Sequence, residues 1–183
     1  MQSLSFDITE TERLFSEKKI LDLRGISNRL MRESSMQNDY AKAELSIISY
    51  ALHKIETKPH FTHSPQWGKI KQSIIQHFHE AAQAAKENHS QNLLTALKKL
   101  IQDIRGIDDE LGNYAQNIYD KAKVKQASLA YSYGLSIAQS AALTGADQKE
   151  VQSYIGFTTM PDEELEVKSI GERVKELKYL VEE

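Results

Sequence analysis

Apolar residues recur every three or four positions along most of the chain, and that spacing predicts helices. The clearest stripe is Ala41, Leu45, Ile48, Leu52 and Ile55, whose alternation by four and three places all five on one helical face and predicts a helix from about Asn38 to Glu56, stopped by Pro59. Before it, Thr9 to Met36 predicts a single helix with Leu14, Ile20, Leu23, Ile26 and Leu30 inward and Gly25 as a soft point. The run KPHFTHSPQWG, which holds Pro59 and Pro65, predicts a loop, and Trp67, Ile70, Ile74, Phe78, Ala81 and Ala85 mark the helix after it. Ser90 is placed to cap a short helix whose inner face is Leu93, Leu94, Leu97, Ile101 and Ile104 and which closes at Gly106. A fifth helix is expected from about Asp108, with Leu111, Tyr114, Ile118 and Ala122 facing the core, ending near Tyr133 at Gly134. Nothing alternates with period two over a useful length, so no strand is predicted.

The stretch LSIAQSAALTGADQKEVQSYIG, residues 135–156, is different in kind because it carries two helix starts in quick succession. Ser136 with Gln139 forms the S-x-x-Q pattern of a capping box, so a helix begins at Ile137. Asp147 with Glu150 repeats the device, so another begins at Gln148. Between them Gly145 is the residue that enters the left-handed backbone region at least cost, and there the first helix must end and the chain turn. Ala141 is small where the two helices would cross, and Val151 and Tyr154 are spaced to pack back on Leu143 and Ile137.

Two short helices joined by a tight glycine turn resemble the helix-turn-helix family of DNA-binding regulators, in the pattern of a small residue, three intervening residues, a glycine, and apolar positions six and nine further on. The likeness covers about 22 of 183 residues and departs from the family at Ser140, where a larger aliphatic is usual, and at the polar Thr144. It implies that the second helix reads DNA, presenting Gln148, Lys149, Gln152 and Ser153, with Lys121, Lys123 and Lys125 of the preceding helix near the phosphate backbone. Residues 122–151 are also similar to the closing helices of a cyclin-like repeat of general transcription factors.

At the far end, Thr159, Pro161 and the acidic residues 162–164 read as a helix start, followed by Val167, Ile170, Val174, Leu177 and Val181 at coiled-coil a and d spacing. That stripe predicts either a homodimer contact or packing on the chain's own core. The whole is thus expected to be all-α: a multi-helix N-terminal bundle over 1–106, a helix-turn-helix region over 107–158 and a C-terminal helical tail over 159–183.

Composition narrows the function classes. The chain has 40% hydrophobic and 27% charged residues, with only 8 glycines and 3 prolines, which suits a folded helical protein. It has no cysteine, which excludes disulfides, thiolate zinc sites and a cysteine nucleophile and fits a reducing compartment. With no export signal and no membrane-spanning apolar run, a cytoplasmic location is expected. The net charge is −3, built from +3 over 1–106, −2 over 107–160 and −4 over 161–183. A protein held to nucleic acid mainly by charge should be basic near its contacting element, so a weakly basic monomer would need a dimer to bind duplex tightly.

The sequence offers no active site. None of the phosphate-loop, dinucleotide, nucleophile-elbow or H-E-x-x-H motifs occurs, and paired carboxylates such as Asp108 and Asp109 fall at expected helix starts. His77 and His79 would point about 200° apart on a helix, and the six histidines are expected to be exposed or in loops. No metal, cofactor or catalysis is therefore predicted. The expectation is a DNA-binding transcriptional regulator; the alternative is a module that binds a protein partner in the transcription or RNA-processing machinery without reading DNA.

Overall fold

The computed structural model describes residues 2–111 and 118–159, all-α throughout with no strand among the described residues. The helices are α1 (Gln2–Ser16), α2 (Ile20–Gln37), α3 (Tyr40–Glu56), α4 (Pro59–Thr62), α5 (Trp67–Lys86), α6 (Ser90–Leu111), α7 (Ile118–Ser132), α8 (Ile137–Thr144) and α9 (Gln148–Thr159).

α3 is the axis of the molecule. Its stripe of Leu45, Ile48, Leu52 and Ile55 is buried as the spacing predicts, yet Ala43, Ile47 and Ala51 on its other sides are buried too. A helix apolar on one side in sequence has become buried all round because α2, α7, α1, α6 and α8 pack on it from several directions. Small polar residues make this close packing possible. Ser27 of α2 donates to the Ser46 carbonyl at 2.9 Å, Ser46 donates to Gln126 Oε1 at 3.1 Å, and Gln126 Nε2 returns to Ser27 Oγ at 3.0 Å. All three side chains are buried, and each finds partners in this network where α2, α3 and α7 meet.

Several predicted boundaries are corrected. The single helix over Thr9 to Met36 is two, broken at 17–19, where Lys18 takes a positive φ of 56°. Gly25 lies inside α2 and is no break. α2 ends on Asn38, also left-handed, after which Asp39 caps α3 by accepting from the amides of Ala41 and Lys42. The expected loop after Lys58 contains one helical turn, α4, and buries Phe61 and Trp67; the Trp67 ring meets Phe15 of α1 edge-on at 6.2 Å. α6 does not close at Gly106 but runs to Leu111, so Asp108 and Asp109 fall in its last turn and not at a helix start. Leu94 is 52% exposed and not part of the inner face. α7 is described from Ile118 on, with Ile118 and Ala122 buried as expected, while Tyr114 lies outside the described residues. No helix among the described residues is long and apolar enough to cross a membrane.

Candidate nucleic-acid interface

The corner formed by α7, α8 and α9 is built from local signals in the sequence. Ser136 Oγ accepts from the Gln139 amide at 3.2 Å and Gln139 Oε1 accepts from the Ser136 amide at 2.9 Å, so two amides that α8 cannot satisfy are satisfied reciprocally. At the other end Gly145 has φ 64° and ψ 25°, and the amides of Gly145 and Ala146 both donate to the Ala141 carbonyl. That left-handed residue turns the chain within three residues. Asp147 then accepts from the amides of Lys149 and Glu150 at 2.9 and 3.0 Å, and α9 begins at Gln148 as predicted.

The corner's own core is small. Ala127 of α7, Ala141 of α8 and Val151 of α9 are buried together, with Ile137, Ala146 and Ile155 packed at the edge. Val151 thus meets Ile137 as the spacing foretold, but Leu143 does not join it and belongs to the large core around α3. Tyr154 is likewise not part of this cluster. Its ring lies 5.4 Å from the Lys125 ammonium on α7, and Ile155 occupies the position against the corner core. The two departures from the family pattern are both buried: Thr144 donates to the Ser140 carbonyl at 2.8 Å, whereas Ser140 Oγ has no partner. A stranded buried hydroxyl costs on the order of 1–3 kcal/mol.

Gln148, Lys149, Gln152 and Ser153 are all exposed. At 100° per residue they span an arc of about 140°, with Val151 about 60° beyond Gln148, so one solvent-facing arc holds all four. Glu150 stands on the flank of that face, towards α7. Of the three lysines expected beside the DNA backbone, Lys121 is exposed and Lys125 stands over Tyr154. Lys123 is already engaged: it pairs with Asp120 at 2.8 Å and donates to the Gly145 carbonyl at 3.3 Å, which ties α7 to the turn.

α7 is fixed on α3 by a second, partly buried contact, in which the Tyr119 hydroxyl donates to Glu44. Burial raises the Glu44 carboxyl above its ordinary value against the pull of that hydrogen bond, and burial beside Glu44 pushes the Tyr119 phenol far up. Between the end of α3, α7 and α9 lies a groove of about 650 Å3. Lys54 of α3, Lys58 just before α4, and Lys121 and Lys125 of α7 line it, together with Tyr50, Tyr154 and Phe157. Burial raises the Tyr50 phenol, with the Lys125 charge opposing, so the ring is neutral near pH 7. Sequence reading missed this groove, because residues about a hundred positions apart meet in it.

The histidines are corrected as well. His53 is buried, with Nδ1 donating to the Ile20 carbonyl at 2.9 Å, and His77 Nδ1 lies 2.7 Å from Asp103 across α5 and α6. Both are structural ties between helices. Val167, Ile170, Val174, Leu177 and Val181, named for a dimer contact, lie outside the described residues. Comparison with known proteins gives no match: no family model, no curated protein and no solved structure matches the chain.

Proposed function

We propose that the chain is a cytoplasmic DNA-binding regulator whose α9 enters the major groove of duplex DNA. The observation that carries this reading is that α9 is anchored along one edge, through Val151 and Ile155, and leaves Gln148, Lys149, Gln152 and Ser153 together in solvent at its first two turns. A helix of 12 residues is about 18 Å long and fits a groove about 12 Å wide. Glutamine pairs bidentately with adenine, and Lys149 reaches guanine or phosphate. The acidic Glu150 lies about 100° round from Lys149 and so at the margin of the reading face. A dimer, placing two such helices one turn of duplex apart, offsets the lack of a basic excess in one copy, whose net charge is −3.

The test is a titration of the full chain against a random-sequence duplex at several salt concentrations. Affinity should fall steeply as salt rises, and Lys149→Ala should reduce the slope of log affinity against log salt by about one. Absence of binding at low salt, or binding that Gln148→Ala with Lys149→Ala leaves unchanged, removes the reading; recovery of a protein and no nucleic acid with the tagged chain from cells replaces it with the protein-partner alternative.

A further inference from the structure

The groove between α3, α7 and α9 shares Ser153, Lys121 and Lys125 with the DNA reading, but Tyr50, Lys54, Lys58, Tyr154 and Phe157 in its lining are features which that reading does not use. Its volume of about 650 Å3 falls in the range of small-molecule sites, roughly 300–1,000 Å3. Its floor is apolar, from Ile118, Ala122 and Val124, and Tyr50 and Tyr154 supply ring faces. Phe157 stands at its edge 75% exposed, an unusual cost for a large ring in water.

The cations are arranged about this apolar surface. Lys121 and Lys125 are one turn apart and face the same way from α7. The Lys54 ammonium sits 5.4 Å from the Tyr50 ring centre and the Lys125 ammonium 5.4 Å from that of Tyr154, which holds both heads at the walls. Neither these two nor Lys58 and Lys121 pair with a carboxylate among the described residues. Elsewhere the lysines with covered side chains do pair: Lys42 with Glu33 at 2.6 Å, Lys71 with Glu56 at 3.4 Å, Lys123 with Asp120 at 2.8 Å. The groove contains two carboxylates, Asp120 and Glu150. Asp120 is already held by Lys123 and by Arg105 at 3.2 Å, and Glu150 is exposed at the rim. Four lysines against two carboxylates leave the lining at +2 on a chain whose net charge is −3.

We infer that this groove binds a small organic anion bearing a ring, such as an aromatic carboxylate or an aryl phosphate, with the ring against Tyr154 and Phe157 and the charged group among the lysines. The site shares Lys121 and Lys125 with the DNA reading but needs neither Lys149 nor Gln148, so those two residues separate the proposals. Bound there, the ligand covers Phe157 and gives the unpaired ammonium groups a counter-charge in a partly desolvated setting, where an ion pair is worth more than in open water.

The probe is 1-anilinonaphthalene-8-sulfonate, titrated into the full chain and followed by fluorescence and by amide chemical shifts. Saturable binding is expected, with shifts concentrated at Tyr50, Lys54, Ala122 and Tyr154, and with the uncharged analogue N-phenyl-1-naphthylamine binding more weakly. Lys121→Gln with Lys125→Gln should weaken the sulfonate by about tenfold, while Lys86→Gln with Lys98→Gln, away from the groove, should leave it unchanged. Lys121→Gln alone removes an exposed side chain that pairs with no carboxylate among the described residues, and should still weaken binding by about threefold if the double variant fails to fold. Lys149→Ala, which alters DNA binding in the preceding test, should not alter the sulfonate's affinity, so the two proposals fail separately. Equal affinity for wild type and Lys121→Gln, or shifts scattered away from the groove, overturns the site.

Discussion

The body around α3 and the corner of α7, α8 and α9 are held together by different means. In the body, Phe15, Leu30, Leu45, Ile48, Leu52 and Phe78 are fully buried, and large side chains from distant stretches of sequence interlock. The corner buries Ala127, Ala141 and Val151, whose combined apolar area is small, and it depends on a capping box, an aspartate cap and one left-handed glycine to fix its shape. Volume specifies the body and backbone geometry specifies the corner. Such an arrangement suits a surface element, since a helix fixed by its caps keeps most of its circumference free for a partner.

The largest expected effect lies in the body. Leu52→Ala empties a fully buried site on α3 and should cost about 3 kcal/mol, read as a lower denaturation midpoint for the whole chain with an unchanged slope. Gly145→Ala tests the corner. No atom lies within 4 Å of a Cβ placed there, so the penalty is the backbone alone, about 1 kcal/mol for an L side chain at φ 64°. Its signature should be local: faster amide exchange in α8 and α9 than in wild type, with protection in α3 preserved. If Gly145→Ala instead lowers protection in α3 by as much as Leu52→Ala does, the corner is not separable and the contrast fails.

The contrast also explains what the sequence made legible. Ser136, Gln139, Gly145 and Asp147 act within four residues of themselves, so the corner and the exposure of its four named side chains could be anticipated closely. α3 and α5 were recognisable from their stripes, but that α3 is covered on all sides depends on α2 and α7 arriving from elsewhere. The break at 17–19 was hidden because Lys18 adopts the left-handed conformation without being glycine, and Asn88 does so again between α5 and α6. Gly106 misled in the opposite sense, since a long amphipathic face carries α6 through it. The lysines of the groove come from α3, the residue before α4, and α7, and no periodicity links them.

The smallest effect belongs to His53, a titratable group buried in the body, whereas the corner's buried anchors Ala127, Ala141 and Val151 are apolar. Burial lowers its pKa below the ordinary value near 6.5, the hydrogen bond to the Ile20 carbonyl opposes that, and the charges of Lys54 and Arg24 add to it. The folded chain therefore keeps the ring neutral while the unfolded chain takes up a proton. Below about pH 6.5 the unfolded state binds more protons, so stability is complete above that pH and declines as pH falls towards the folded-state value. The lowered carboxyls of Glu33, Glu80 and Asp120 lose their contributions only further down, below their unfolded values of 4.5 and 3.8. Glu44, raised by burial, has the opposite sign, its protonation favouring the folded state as pH falls. Comparing variants cancels these terms. His53→Gln retains a donor for the Ile20 carbonyl without a proton to gain, so its melting temperature should fall less between pH 7.5 and 5.5 than that of wild type. Equal declines would mean that the ring is charged in the folded state, which would remove the body's one assigned pH dependence in this range and leave packing alone to distinguish it from the corner.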